Sequence, residues 1–119
     1  MRVGSLIWRL GFVCYAAALL VATHWPGLAV KGPISRTDLV IHVCVFAGWA
    51  FLLGLTGWVR AYRLVICGVC FAVFDETTQP LFSRVFDWSD LGADIAGVLV
   101  GSGAFSLLFV RKQREGDGS

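Results

Sequence analysis

Four long apolar stretches, separated by short polar breaks, organise the chain, at about residues 5–23, 39–58, 61–79 and 91–110. Each approaches the roughly 20 residues that a helix needs to cross a bilayer. The breaks hold residues that stop helices. His24-Trp25-Pro26-Gly27 and Lys31-Gly32-Pro33 close the first stretch, Gly57 the second and Pro80 the third. Residues 111–119 are charged and read as a short unstructured tail. The pattern predicts an all-α polytopic membrane protein: one domain over residues 1–110, with four transmembrane helices in a compact bundle. The first stretch has some features of a secretory signal, with Arg2 ahead of it and Ala16-Ala17-Ala18 within it. Arg9 interrupts its apolar run and no small-x-small cleavage site follows, so it is read as a retained span.

Composition narrows the class further. Of 119 residues, 57% are hydrophobic and only 15% charged, and the mean hydropathy is +0.75. A soluble domain of this size keeps too much surface in water to hide so much apolar area. Disordered chains and basic nucleic-acid-binding domains are excluded on the same numbers, and the partner implied first is the lipid bilayer. Trp8, Trp25, Trp58 and Trp88 fall near predicted helix ends, where interfacial anchors belong. Cys14, Cys44, Cys67 and Cys70 all lie in apolar stretches, so the Cys67-x-x-Cys70 spacing reads as packing rather than redox chemistry.

Charge gives the chain a direction. Arg2, Arg9, Arg60, Arg63, Arg111, Lys112 and Arg114 fall on one side of four antiparallel spans, against Lys31, Arg36 and Arg84 on the other. The positive-inside rule then predicts that both termini and the second loop are cytoplasmic, and that the first and third loops face outward. Six acids, Asp38, Asp75, Glu76, Asp87, Asp90 and Asp94, collect at the outer side with both histidines. The formal charges are −3 outside and +5 inside, which account for the net +2.

Spacing makes these acids more than solvated loop charges. Asp38 and His42 are four residues apart and share a face at the start of the second helix. Asp90, Asp94, Gly97 and Gly101 make one stripe on the fourth, with Asp94 about 6 Å deeper than Asp90. On the third helix, Asp75, Glu76 and Gln79 lie about 18–24 Å along the axis from Arg63, inside a core about 30 Å thick. An ionised group in the bilayer centre costs on the order of 2.5–3.5 kcal/mol on insertion scales and less near the interface, so these groups must face the bundle or a wet cavity. Arg84 is the nearest base by chain to Glu76 and is expected to pair with it. Gly97-x-x-x-Gly101 offers a close helix approach, expected within the bundle, with a homodimer through the same glycines the less favoured use. No paired ligand motif such as His-Glu-x-x-His is present, so no metal and no cofactor is assigned.

The ordered set Asp38-Leu39-Val40-Ile41-His42, Glu76-Thr77-Thr78-Gln79, Arg84 and the run from Asp90 through Asp94 and Gly97 to Gly101 resembles the VanZ-like family of small integral membrane proteins. The resemblance covers roughly residues 20–110, and Leu39, Val43 and Phe46 depart from the usual family residues beside Asp38 and His42. It implies a multi-pass protein of the bacterial cytoplasmic membrane with a role at the cell envelope, associated with reduced susceptibility to the glycopeptide teicoplanin. The candidate site is Asp38, His42, Glu76, Gln79, Arg84, Asp90 and Asp94. Two uses of it stay open. One is engagement of an envelope lipid or cell-wall precursor. The other is an enzyme acting on such a molecule, with Glu76 or His42 as general base and Arg84 stabilising an anion. A small proton-coupled transporter fits less well, because the first stretch carries Arg9 and no acid.

Overall fold

A computed structural model describes residues 2–26, 37–60 and 62–118. Lys31, Gly32, Pro33 and Arg36 of the first loop, and Ala61 at the start of the third apolar stretch, lie outside the described residues. Regular structure is entirely helical, with no strand among the described residues. Helix α1 spans Leu6–His24, α2 Thr37–Thr56 and α3 Tyr62–Thr78, the last continuing as a 3-10 turn over Gln79–Phe82. Helix α4 spans Trp88–Phe105, then passes through a π-helical segment, Ser106–Val110, into the short α5, Arg111–Gly116. Counting these continuations, four helices among the described residues are long and apolar enough to cross a membrane.

Local chemistry sets the boundaries. Helix α2 starts ahead of its apolar stretch, with Asp38 in the first turn, where a carboxylate meets the positive end of the helix dipole. It stops at Gly57, whose φ of +72° is the left-handed conformation that glycine adopts without strain. Pro80 has no N–H to continue the α3 ladder, so the chain tightens into the 3-10 turn and leaves it through Ser83 at φ 61°. Asp87 caps α4 by accepting a hydrogen bond from the Ser89 N–H at 2.7 Å.

The helices alternate in direction, and contacts at each end fix their order. At the basic end, the Gly4 N–H donates to the Leu55 carbonyl at 2.8 Å, and Arg9 Nε donates to the Thr56 carbonyl at 3.2 Å. The Arg9 guanidinium also lies over the Trp58 ring, 5.9 Å from its centroid. Arg9 thus satisfies a carbonyl that the end of α2 would leave open.

Helices α2 and α4, although not consecutive, make the most intimate pair. Gly97 faces the backbone of Val43 and Gly101 that of Ala47, so closely that a Cβ on either would overlap a carbonyl oxygen. Around this seam lies the core of Phe46, Trp49, Ala50, Leu53, Leu64, Ala72, Val98 and Phe105. Trp49 stacks on Phe71 at 4.6 Å, which ties α3 to the same seam. Helix α1 buries only Leu19 and turns Leu6, Ile7, Leu10, Val13 and Val21 outward. Apolar groups on the outer surface suit a lipid solvent.

Two expectations are corrected. Residues 111–116 are helical, because the hydrogen-bond ladder of α4 runs on through the π segment and Arg111 pairs with Glu115 one turn later at 3.4 Å. The cysteines are all free thiols, and Cys14, Cys44 and Cys70 sit on the outer surface of the bundle rather than in its core.

Candidate functional site

Because α1 and α3 end where α2 and α4 begin, the alternation carries His24, His42, Asp75, Glu76, Gln79, Asp90 and Asp94 to one end of the bundle. The expected convergence of His42, Glu76 and Asp94 from three helices is what the geometry displays. One ligand-type atom from each lies within 4.8 Å of the others. His42 Nδ1 is 2.7 Å from Asp94 Oδ1, and its Nε2 is 3.7 Å from Asp90 Oδ2. Glu76 and Asp94 have no exposed surface, while His42 keeps 16% of its side chain accessible. Spacing on α4 explains the placement: Asp94, Gly97 and Gly101 share the face against α2, and the small glycines let that face approach closely enough for Asp94 to reach His42.

Gln79 joins the two acids of α3. Its Nε2 donates to Glu76 Oε1 at 3.0 Å and reaches Asp75 Oδ2 at 3.3 Å. The 3-10 turn makes this possible by folding Gln79 back over the last turn of α3. The loop that follows returns far enough for the Asp87 N–H to donate to Glu76 Oε2 at 3.4 Å. Both oxygens of Glu76 are therefore engaged by Gln79 and the Asp87 backbone, and the expected Glu76–Arg84 pair is not among the ion pairs seen for the described residues. Arg84 lies near enough to Asp90 to act on it electrostatically.

Two residues on α1 and two on α3 that are absent from the candidate set above extend the network. Thr23 Oγ1 donates to Asp75 Oδ1 at 2.6 Å. His24 Nδ1 faces the Leu20 carbonyl at 2.9 Å, its Nε2 lies 2.7 Å from Thr78 Oγ1, and Asp75 Oδ1 is 3.6 Å from Nδ1. A continuous polar path thus runs from α1 through Asp75, Gln79 and Glu76 to His42 and Asp94. The signal for this extension was a Thr-His pair ending one apolar stretch and an Asp-x-x-Thr ending another. Asp38 stands apart from the path: it is exposed in the first turn of α2 and makes no hydrogen bond among the described residues.

Two carboxylate oxygens in this region, Asp90 Oδ1 and Asp94 Oδ2, are buried without a hydrogen-bond partner among the described residues. Four helices thus gather carboxylates, two imidazoles and an amide at one pole, with Asp75, Glu76, Gln79 and Asp94 buried. Such a set can bind a cation, orient a polar headgroup or move a proton.

No curated protein and no solved structure matches the chain. The VanZ/LLP1 family model matches residues 17–109, a span that takes in every element of the polar path from Thr23 to Asp94. Four apolar helices, their polar ends gathered at one pole, and this match over most of the sequence lead to one assignment: the chain is a multi-pass membrane protein that belongs to the VanZ/LLP1 family.

Proposed function

We propose that this protein sits in the bacterial cytoplasmic membrane with both termini inside, and that the pole carrying His42, Glu76 and Asp94 faces outward to engage an envelope lipid or a cell-wall-related ligand. The observation that carries the reading is the burial of Glu76 and Asp94 at the end of the bundle opposite Arg2, Arg9, Arg60 and Arg111. Polar groups are costly in lipid and are retained where they do work, and bases favour the cytoplasmic side. In this reading Asp38 and Arg84 stand at the rim, and Gln79, Asp90 and Asp94 line the approach to Glu76. An effect on teicoplanin susceptibility follows from the family resemblance.

A second reading is an acid/base enzyme acting on the same class of ligand. The 2.7 Å contact between His42 and Asp94 favours it, because a carboxylate that orients an imidazole is what a general base requires.

The test has two parts. On a background without native cysteines, Val85→Cys, in the exposed loop ahead of α4, is expected to react with a membrane-impermeant thiol reagent on intact cells. Gln113→Cys in α5 is expected to stay unlabelled. The reverse labelling would turn the polar pole inward and remove the outward-facing reading. Glu76→Gln is then expected to abolish any change in teicoplanin susceptibility conferred by the native chain, at undiminished membrane levels. Full retention of the phenotype would take Glu76 out of the functional set and with it the enzymatic reading through Glu76.

A further inference from the structure

We propose that His42, Glu76 and Asp94 bind one transition-metal dication of the zinc or manganese class, held between α2, α3 and α4. This goes beyond the outward-facing reading and holds for either orientation of the chain. The three side chains bring one ligand atom each within 4.8 Å of the others. Metal bonds of about 2.0–2.2 Å hold neighbouring ligands about 3–3.5 Å apart, so the 2.7 Å contact between His42 Nδ1 and Asp94 Oδ1 would open slightly to admit the ion.

A separate observation points to a missing partner. Asp94 has no exposed surface, yet its Oδ2 meets no hydrogen-bond donor among the described residues, while its Oδ1 is engaged by His42. Asp90 Oδ1, beside the same imidazole, is also buried without a donor. Buried carboxylate oxygens are paired or bound to metal in stable proteins.

Charge leads to the same occupant. Glu76, Asp90 and Asp94 surround a single imidazole, and were all three ionised, even a protonated ring would offset only one of their charges. Arg84 acts on Asp90, the outermost of them. A dication at the centre balances the inner pair. The donor set selects its type: imidazole nitrogen with carboxylate oxygen suits zinc or manganese, whereas calcium and magnesium prefer oxygen alone and monovalent copper prefers sulfur. Cys14, Cys44 and Cys70 stand on the outer face of the bundle, and no cysteine joins the ligand group among the described residues. Around the ligands lies the support that metal sites use, since Gln79 and the Asp87 N–H fix both oxygens of Glu76.

The experiment uses the purified full-length chain in nanodiscs, stripped with a chelator and then exposed to Zn2+, Mn2+ or Mg2+ before gel filtration. About one equivalent of zinc or manganese should be retained, magnesium should wash away, and the thermal unfolding midpoint should rise with the retained metal. Asp94→Asn and Glu76→Gln should each lower retention at least tenfold. Should both variants fail to fold, pulsed electron paramagnetic resonance of Mn2+ on the native chain labelled with 15N-histidine decides, and one coupled imidazole nitrogen is expected. No retained zinc or manganese on the native chain overturns the proposal. So does metal that folded variants keep unchanged, as thiol-bound zinc would be, or an Mn2+ signal without nitrogen coupling.

Discussion

Gln79 holds a position that no other residue type fills as well. Its amide reaches oxygens on both Asp75 and Glu76, and it is 2% exposed, so water cannot replace it. Gln79→Leu would leave two buried carboxylate oxygens without a donor, at about 1–3 kcal/mol for each group left unsatisfied. Thr23→Val removes one donor to Asp75 and should cost about 1–3 kcal/mol. Thermal unfolding of the purified variants should therefore rank native above Thr23→Val above Gln79→Leu. Equal stability for Gln79→Leu and native protein would mean that the amide does not hold these acids together. At this scale the sequence was partly legible. Depth along α3 identified Glu76 and Gln79 as groups in need of partners, and residue type identified His42. Chain proximity misled in the case of Arg84, because the 3-10 turn and the returning loop bring Gln79 and the Asp87 backbone to Glu76 first. Thr23 was seen only as the edge of an apolar stretch and His24 only as a neighbour of the outer acids, since their contacts exist only once α1 lies beside α3.

Helix faces were easier to read than single contacts. A period of 3.6 residues put Asp90, Asp94, Gly97 and Gly101 on one stripe of α4, and that stripe meets α2. Gly101→Ala is expected to cost about 1–3 kcal/mol, because the added methyl overlaps the Ala47 carbonyl and backbone cannot step aside as a side chain can. Gly103→Ala, with open space around its Cα, is the control and should hold or raise the unfolding midpoint, since alanine favours a helix interior over glycine by about 0.5–1 kcal/mol. A neutral Gly101→Ala would show that the α2–α4 seam is looser than its geometry. The helical continuation into α5 was not legible. Charged residues after an apolar stretch look like a tail in a linear reading, whereas a helix already formed extends at little cost once its first turns are in place.

For the whole molecule, the separation of bases from acids between the two poles is the dominant feature, with a long axis of 54 Å. The last helix, from Trp88 to Gly116, has 29 residues, about 43 Å at 1.5 Å per residue, and outruns a hydrocarbon layer of about 30 Å. Its excess carries Arg111, Lys112 and Arg114 beyond the apolar zone. With Arg60→Gln and Arg63→Gln combined, fewer chains should expose Val85→Cys to an impermeant thiol reagent, because the α2–α3 loop and the first turn of α3 lose their bases. Unchanged labelling would assign orientation to the terminal bases alone. The α2–α4 seam has a further consequence for how the chain is made. During synthesis α2 enters the membrane with His42 long before Asp94 exists, and α3 adds Glu76 and Asp75 to the same unfinished pole. Only the last span brings the residues that close it. A product that stops before α4 would hold His42, Asp75 and Glu76 at a pole without Asp90 and Asp94, and would leave the α2 backbone at Val43 and Ala47 without the glycines that cover it.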